Sequence, residues 1–258
     1  MSIENIIEDS LKELKNRITQ PSTNIDGNIT SRLIFPQYRD KSARYSEQEL
    51  KQIFLHKIEN NTNYFYSVET PTKHVYHFSD TEMPLVKETH EKDDKYESAR
   101  FDVSLYSKNN EDELLSHIEF KYGNPAQKNG ICKDFLKLVS EVKFTNEKKN
   151  FFVHYLSVKE ESGWKSRSFP SLFKKYREAV DDIIKSNLIS EEDLSKVTVY
   201  LLCIFENSKS ALKYHFSLAD LKNNYTVGTK YSDITDKLWL NEEIFNLGEE
   251  IHFKESKK

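Results

Sequence analysis

Two almost continuous apolar runs constrain the fold more than any other feature of the chain. They are FFVHYLSV at 151–158 and VTVYLLCIF at 197–205. A strand that is covered on both faces has such a run, whereas a strand with one face in water alternates. Helical patterns precede the two runs, at 128–142 and at 170–187. This alternation predicts an α/β fold, in which a mixed sheet carries helices on both faces.

The first half of the chain contains two further helical patterns and a group of strand patterns. Ser46 is a suitable N-cap for a helix over 47–59, with Glu49 as its capping-box partner. We expect one domain over 1–258, with a core at about 46–206. A helix and loop (1–45) precede this core, and an extension (207–258) follows it. The remaining elements that we predict are a helix at 3–18, a hairpin of strands 64–70 and 74–78, strands at 99–106, 114–122 and 212–217, a helix near 241–247, and loops at 19–43 and 80–97.

The composition excludes several classes of protein. The 38 basic and 42 acidic side chains give a formal charge of -4, which rules out a uniformly basic nucleic-acid coat but permits a local basic groove. Cys132 and Cys203 form no CxxC motif, so we expect buried thiols and neither a zinc ribbon nor a disulfide framework. No run reaches the roughly 18 apolar residues of a membrane span, and no signal-peptide core is present. We therefore expect a cytoplasmic protein without membrane contact.

The strands around 100–121 carry the residues with the clearest chemistry. Asp102 lies in the first strand, and Glu119 and Lys121 lie at the end of the second. Residues two apart on a strand share a face, so Glu119 and Lys121 point the same way. If the two strands pair through a turn near 109–112, Asp102 can lie beside Glu119. These two carboxylates and the carbonyl of Phe120 would offer the oxygen ligands that Mg²⁺ or Mn²⁺ prefers, and Lys121 could assist a water or a phosphate.

The acid-x-Lys triplet is informative only through its position. Eight such triplets occur in the sequence, so the triplet alone carries no weight. Glu119-Phe-Lys121 differs because it closes an apolar strand that follows another strand with an isolated acid. An exposed salt bridge across the two strands is the alternative explanation.

The helix at 47–59 offers a third acid. Its apolar face is centred between Leu50 and Phe54, and Glu47 lies within about 40° of that centre. A carboxylate on a buried face is costly unless it is paired or binds a metal. Favourable interaction with the helix dipole is the alternative explanation for Glu47. Glu49 lies to the side of this face.

These residues resemble the PD-(D/E)xK nuclease superfamily, which has the restriction-endonuclease-like fold. The resemblance rests on Arg44-Tyr-Ser-Glu47-Gln-Glu49-Leu, Ala99-Arg-Phe-Asp102 and Ile118-Glu119-Phe-Lys121, and it covers about 110 of the 258 residues. It implies an αβββαβ core with N- and C-terminal additions. It places the metal acids at Asp102 and Glu119, the catalytic lysine at Lys121 and the helix acid at Glu47 or, alternatively, Glu49. Asp102 follows Phe in place of the proline of the family motif.

The resemblance implies a Mg²⁺- or Mn²⁺-dependent nuclease that hydrolyses phosphodiester bonds, with DNA as the expected substrate. A role in restriction or phage defence, and a homodimer or a partner in a defence complex, follow by analogy. The rival hypothesis is a non-catalytic nucleic-acid-binding or assembly subunit of the same fold.

Basic residues that could follow a phosphate backbone flank the candidate site. Gln127 follows the Glu-x-Lys strand, and Lys133 and Lys137 share one face of the next helix. Lys174 and Lys175 form a second patch, where the interleaved Trp164, Phe169 and Tyr176 could stack on bases, although aromatics at this spacing are more often core residues.

Overall fold

The computed structural model describes residues 1–19, 33–60, 63–77, 85–87, 97–145, 149–185, 189–234 and 238–245. Within these residues the helices are α1 (Ile3–Thr19), α2 (Glu47–Glu59), α3 (Asn129–Glu141), α4 (Glu161–Gly163), α5 (Phe169–Ile183), α6 (Glu191–Leu194), α7 (Leu218–Asn224) and α8 (Tyr231–Ile234). Short turns of 3₁₀- or π-helix cover Val142–Phe144, Trp164–Ser168 and Leu238–Leu240. None of these helices combines the length and the apolar character that crossing a membrane requires.

The described strands form one mixed sheet in the order β2-β1-β3-β4-β5-β6-β7-β8. Strand β4 pairs antiparallel with β3 and parallel with β5, and β5 pairs parallel with β6. The remaining neighbours are antiparallel. The strands are β1 (Tyr64–His77), β2 (Leu85–Lys87), β3 (Glu97–Ser107), β4 (Asn110–Tyr122), β5 (Asn150–Val158), β6 (Val197–Phe205), β7 (Ser210–Ser217) and β8 (Glu242–Phe245).

Helices cover both faces of this sheet, as the two apolar runs predict. On one face, α3 and α5 pack with Phe152 and Leu201. On the other face, α1 and α2 pack with Phe151, Val153 and Tyr155. Alternate residues of β5 thus enter opposite layers, which explains why nearly every residue of this strand is apolar. The predicted α/β class, with a mixed sheet flanked by helices, is confirmed.

Three predictions are wrong. Residues 64–70 and 74–77 belong to one strand, β1, because Pro71 lies at an irregularity in the β1–β3 pairing and does not end the strand. Within the described residues, β2 pairs with β1 from Val75 onward, so Pro71 lies in an edge stretch of β1, where a proline is tolerated. The segment near 241–247 contains strand β8 where a helix was expected, and it pairs with β7. The predicted loop 80–97 is interrupted by strand β2, and Glu97 begins β3. Residues 246 and 247, residue 78, the remainder of 80–97, and 20–32 of the loop 19–43 lie outside the described residues.

A buried carboxylate accepts the hydrogen bonds of the backbone N–H groups in the irregular part of β1. Glu141, at the end of α3, is fully buried. It accepts hydrogen bonds from the backbone N–H groups of Lys73 (3.0 Å) and His74 (2.6 Å). It also lies 2.8 Å from Nδ1 of His74 and accepts from the hydroxyl of Tyr76 at 3.2 Å. Burial alone would raise the pKa of Glu141, but the hydrogen bonds from His74 and Lys73 outweigh it and lower the pKa.

We expect Glu141→Gln to lower the free energy of unfolding by about 1–3 kcal/mol, because one amide cannot accept from both N–H groups. A carboxyl with a lowered pKa stabilises the fold above its unfolded value of 4.5 and loses this effect as the pH falls through the folded value. The difference between variant and wild type should therefore shrink in acid. Urea unfolding across this pH range measures it, with exposed Glu111→Gln as the control. Equal stabilities at neutral pH would contradict the assignment.

Candidate active site

The start of α2 is fixed by a capping box, and this determines the roles of its two acids. The carboxylate of Glu49 accepts hydrogen bonds from the N–H and hydroxyl of Ser46, at 2.8 and 2.7 Å. The hydroxyl of Tyr155 also donates to the carbonyl of Ser46 at 2.7 Å. Glu49 is therefore engaged within its own helix end. Glu47, two residues earlier at the first position of the helix, takes no part in the capping box and faces the strands.

Asp102 lies where the β3–β4 pairing ends. The last paired residues are Val103 and Ile118, so Asp102 comes one step beyond them, level with Glu119. Its carboxylate accepts a hydrogen bond from the N–H of Phe120 at 2.8 Å. The side chain thus replaces a backbone partner at the end of the ladder and comes next to the Glu119-Phe120 segment.

Glu119 and Lys121 both face α3, as their spacing predicts. Glu119 accepts from Nζ of Lys137 at 2.6 Å. Lys121 contacts Asp134 at 3.0 Å, and Lys137 contacts the same Asp134 at 3.3 Å. Ile118 and Phe120 pack in the opposite layer, against α1 and α2.

A second lysine reaches Asp102 from the α2 side of the sheet. Nζ of Lys51 lies 3.1 Å from Asp102 and 3.0 Å from Glu69 of β1. Glu69 has a φ of 51°, which is uncommon for a residue other than glycine. This conformation belongs to the strand residue that lies level with Asp102 in the β1–β3 register.

Sequence reasoning missed four members of this cluster or gave them another role. Lys51 is four residues after Glu47, so the two share a helix face, and this spacing could have identified it. Asp134 and Lys137 are three apart on α3 and could have been paired in the same way. Glu69 carried no usable signal, because only the β1–β3 register brings it to Asp102.

The assembled cluster has more acidic than basic groups. Its five carboxylates (Glu47, Glu69, Asp102, Glu119 and Asp134) face three ammonium groups (Lys51, Lys121 and Lys137), so two negative charges are left uncompensated when all are ionised.

Two of the carboxyls show this imbalance in their pKa values. Burial raises the pKa of Glu47, and the charges of Asp102 and Asp134 add to the effect, while those of Lys121 and Lys51 oppose it. Burial likewise raises the pKa of Glu119 well above its usual value, with Asp134 and Asp102 adding to it and Lys137 opposing it. Within the described part of the chain, the carboxylate of Glu47 has neither a hydrogen bond nor an ion pair. The site therefore favours retained protons or an added cation.

The pKa values of the three lysines are also raised, which favours their charged forms. Burial disfavours the ammonium forms, but the attraction of the nearby carboxylates outweighs the effect of burial. Asp102 and Glu69 raise the pKa of Lys51, Asp134 raises that of Lys121, and Glu119 and Asp134 raise that of Lys137. All three are cations at neutral pH.

A buried histidine holds the turn that follows Lys121. Gly123, with a φ of 79°, starts this turn, and its carbonyl lies 2.6 Å from Nε2 of His154. Nδ1 of His154 lies 2.5 Å from the hydroxyl of Tyr176. Burial lowers the pKa of His154 to about 4, so its ring is neutral and bridges the turn to α5.

The residues expected to contact a phosphate backbone have different environments. Gln127 is exposed in the loop after β4, and Lys133 is half-buried on α3. Lys137, the other α3 lysine expected to follow a phosphate backbone, is buried, with its ammonium on Glu119. Lys174 is exposed, 3.8 Å from Glu178, and Lys175 donates to the Asn124 side chain at 2.7 Å and to the carbonyl of Pro125 at 2.5 Å.

The three aromatics interleaved with the second basic patch are core residues. Trp164, Phe169 and Tyr176 are fully buried. All three belong to the core layer that α3 and α5 form on one face of the sheet. They cannot stack on bases, so this interpretation of their spacing is wrong.

Another group of possible metal ligands lies elsewhere on the sheet. Atoms of Glu8, His215 and Glu243 lie within 4.8 Å of one another. Nζ of the buried Lys213 contacts both carboxylates at 3.0 Å, so an ammonium already supplies the positive charge there. Strand β7 is three strands from β4, roughly 14 Å away, and this group does not join the candidate site.

No family model matches this chain, and no curated protein matches it. Among solved structures, the chain is similar to the crystal structure of the central domain of yeast acetyl-CoA carboxylase, with 8% sequence identity and a TM-score of 0.28. The similarity covers 83% of this chain and 33% of that chain, so this chain spans about a third of the length of the protein it matches. A TM-score this low carries no argument about fold or activity.

We expect Glu47→Gln to raise the free energy of unfolding at neutral pH by on the order of 1 kcal/mol, measured by urea unfolding in EDTA. A carboxyl with a raised pKa destabilises the fold once the pH exceeds its unfolded value of 4.5, so the gain should vanish in acid. Glu49→Gln is the matched control on the same helix and should give no gain, because that carboxylate caps the helix. A loss of stability in Glu47→Gln at neutral pH would show that Glu47 has a stabilising partner.

Proposed function

We propose that this protein is a metal-dependent nuclease of the restriction-endonuclease-like fold, which hydrolyses phosphodiester bonds of DNA. The observation that carries the proposal is the placement of Glu47, Asp102, Glu119 and Lys121 at one end of the sheet, where they interact electrostatically in a cluster of five carboxyl and three ammonium groups.

The donor atoms fit a hard divalent cation. Asp102 and Glu119 supply carboxylate oxygens, and Phe120, which directly follows Glu119 and whose N–H is bonded to Asp102, has its carbonyl as a further oxygen. Glu47 adds a carboxylate that lacks a partner within the described residues. Bound Mg²⁺ or Mn²⁺ would lower the pKa of a water and neutralise charge on a phosphate.

The three lysines would have different roles at the site. Lys121 is held by Asp134 at 3.0 Å, with its ammonium beside the acids, where it can orient a water or stabilise negative charge on a phosphate oxygen. Lys51 and Lys137 compensate Asp102 and Glu119 in the absence of a cation. A cation at these carboxylates would free both ammonium groups for substrate.

The element order supports the same proposal. From α2 onward the chain runs helix, strand β1, strands β3 and β4, helix α3 and strand β5, with the short β2 inserted after β1. The resemblance noted above implies an αβββαβ core of this kind, with the acids on the helix and on the second and third strands. By analogy with the family that the chain resembles, we also propose a role in restriction or phage defence and action as a dimer.

Cleavage assays test the proposal directly. Supercoiled plasmid, linear duplex DNA, single-stranded DNA and RNA should be incubated with Mg²⁺ or Mn²⁺. We expect the wild type to cut DNA, and we expect Asp102→Asn and Lys121→Ala each to reduce the rate at least about 10²-fold. Asp112→Asn and Lys108→Ala, at the opposite end of the β3–β4 hairpin, are matched controls that should leave the rate unchanged.

Equal rates for wild type and site variants on every substrate would overturn the proposed activity. Metal-independent binding of nucleic acid without cleavage would favour the non-catalytic subunit instead. Thermal unfolding of each variant must show that the fold is retained.

We further expect the affinity for Mn²⁺ to keep rising as the pH increases above the usual carboxyl range, because the raised pKa values of Glu47 and Glu119 make the cation compete with protons. Calorimetry in two buffers of different ionisation enthalpy counts the protons released. Asp102→Asn/Glu119→Gln should lose the binding, whereas Asp112→Asn should keep it. Binding that survives the double substitution would place the cation elsewhere, for which Glu8→Gln is the comparison.

A further inference from the structure

We propose that the hairpin formed by residues 36–44 binds the phosphodiester backbone of duplex DNA beside the candidate active site. The inference rests on the proposed function and adds a substrate-binding element to it. Three observations carry it: the order of the hairpin, its positive charges without a carboxylate partner in the described residues, and its attachment at the end of β4 through Tyr122.

The hairpin is internally well connected. Gln37 and Ala43 form an antiparallel bridge, and the N–H of Arg44 donates to the carbonyl of Pro36 at 2.7 Å. At the tip, the side chain of Asp40 accepts from the N–H and the hydroxyl of Ser42, at 3.0 and 2.6 Å. The acid of the hairpin therefore serves the turn itself and does not pair with a neighbouring cation.

Three cations project from this hairpin. Arg39, Lys41 and Arg44 are exposed, and none has a carboxylate partner within the described residues. The better-buried Arg17 and Arg177, in contrast, each pair with a carboxylate four residues away. Arg39 and Arg44 thus keep their guanidinium groups available, and a guanidinium matches a phosphate through two parallel hydrogen bonds.

An aromatic cluster attaches the hairpin to the end of β4. The ring of Tyr45 lies 5.1 Å from that of Phe35 and 6.3 Å from that of Tyr122, which follows Lys121 in the chain. Tyr122 in turn lies 4.8 Å from Tyr155, whose hydroxyl holds the carbonyl of Ser46. The two flanks of the hairpin are therefore packed directly beside the catalytic strand.

A substrate with a phosphate backbone would need cations near the candidate site. The surplus of negative charge at the site repels a polyanion, and the lysines nearby already pair with protein groups. Lys137 is buried at Glu119, and Lys175 is bonded to the loop after β4. Charges on the hairpin would offset this repulsion and hold the backbone near Lys121.

Fluorescence anisotropy with a labelled 30-base-pair duplex in EDTA tests the inference without cleavage. Arg39→Ala/Lys41→Ala/Arg44→Ala should weaken binding at least about tenfold at low salt and flatten the slope of log K against log salt by about two to three. Lys108→Ala/Lys143→Ala/Lys230→Ala removes the same charge from exposed lysines elsewhere and should leave both unchanged. Arg39→Lys/Arg44→Lys should retain the salt slope.

The outcomes separate the two proposals. Loss of duplex binding in the hairpin variant, with a wild type that cuts nothing, supports the hairpin and contradicts the nuclease. Cleavage by the wild type, with equal binding by hairpin and control variants, overturns the hairpin alone. A wild type that binds single strands but not the duplex also overturns it. Circular dichroism and thermal unfolding must show that both triple variants fold.

Discussion

The burial of one carboxylate at the end of a central strand determines how its surroundings are arranged. Glu119 is 5% exposed, and leaving water costs a carboxylate several kilocalories per mole unless charges or protons compensate it. Lys137 supplies the nearest compensation, from a helix that packs on the same face. Asp134 then holds Lys137 and Lys121 together, so α3 carries the groups that make the position of Glu119 tolerable.

On the α2 side of the sheet, the charge of a second carboxylate, Asp102, is compensated in a similar way. Asp102 takes the N–H of Phe120 and the ammonium of Lys51, so each strand acid has one lysine from one helix. Among the residues that the structure describes, Glu47 has no lysine in direct contact. A fold selected for stability alone would replace an acid at this place, and its retention at a cost is typical of functional sites.

Local patterns predicted the parts of this structure that depend on neighbours in sequence. The continuous apolar runs identified β5 and β6, and Ser46 with Glu49 identified the start of α2. The spacing of Glu119 and Lys121 predicted that both face one layer. Register and long-range pairing were beyond such patterns. Neither the meeting of Glu69 with Asp102 nor the burial of Lys137 could be read from the chain. Pro71 was misread because a strand tolerates proline where an edge or irregularity leaves no ladder bond to lose.

The attachment of the hairpin has a mechanical consequence. Tyr45, which packs against Tyr122, is separated from Glu47 by Ser46 alone, and the carbonyl of Ser46 is held by Tyr155. No flexible linker lies between the hairpin and the first residue of α2. A displacement of the hairpin would therefore act on the carboxylate of Glu47 through two peptide units, which couples the charged outer surface of the hairpin to the charge balance inside the cluster.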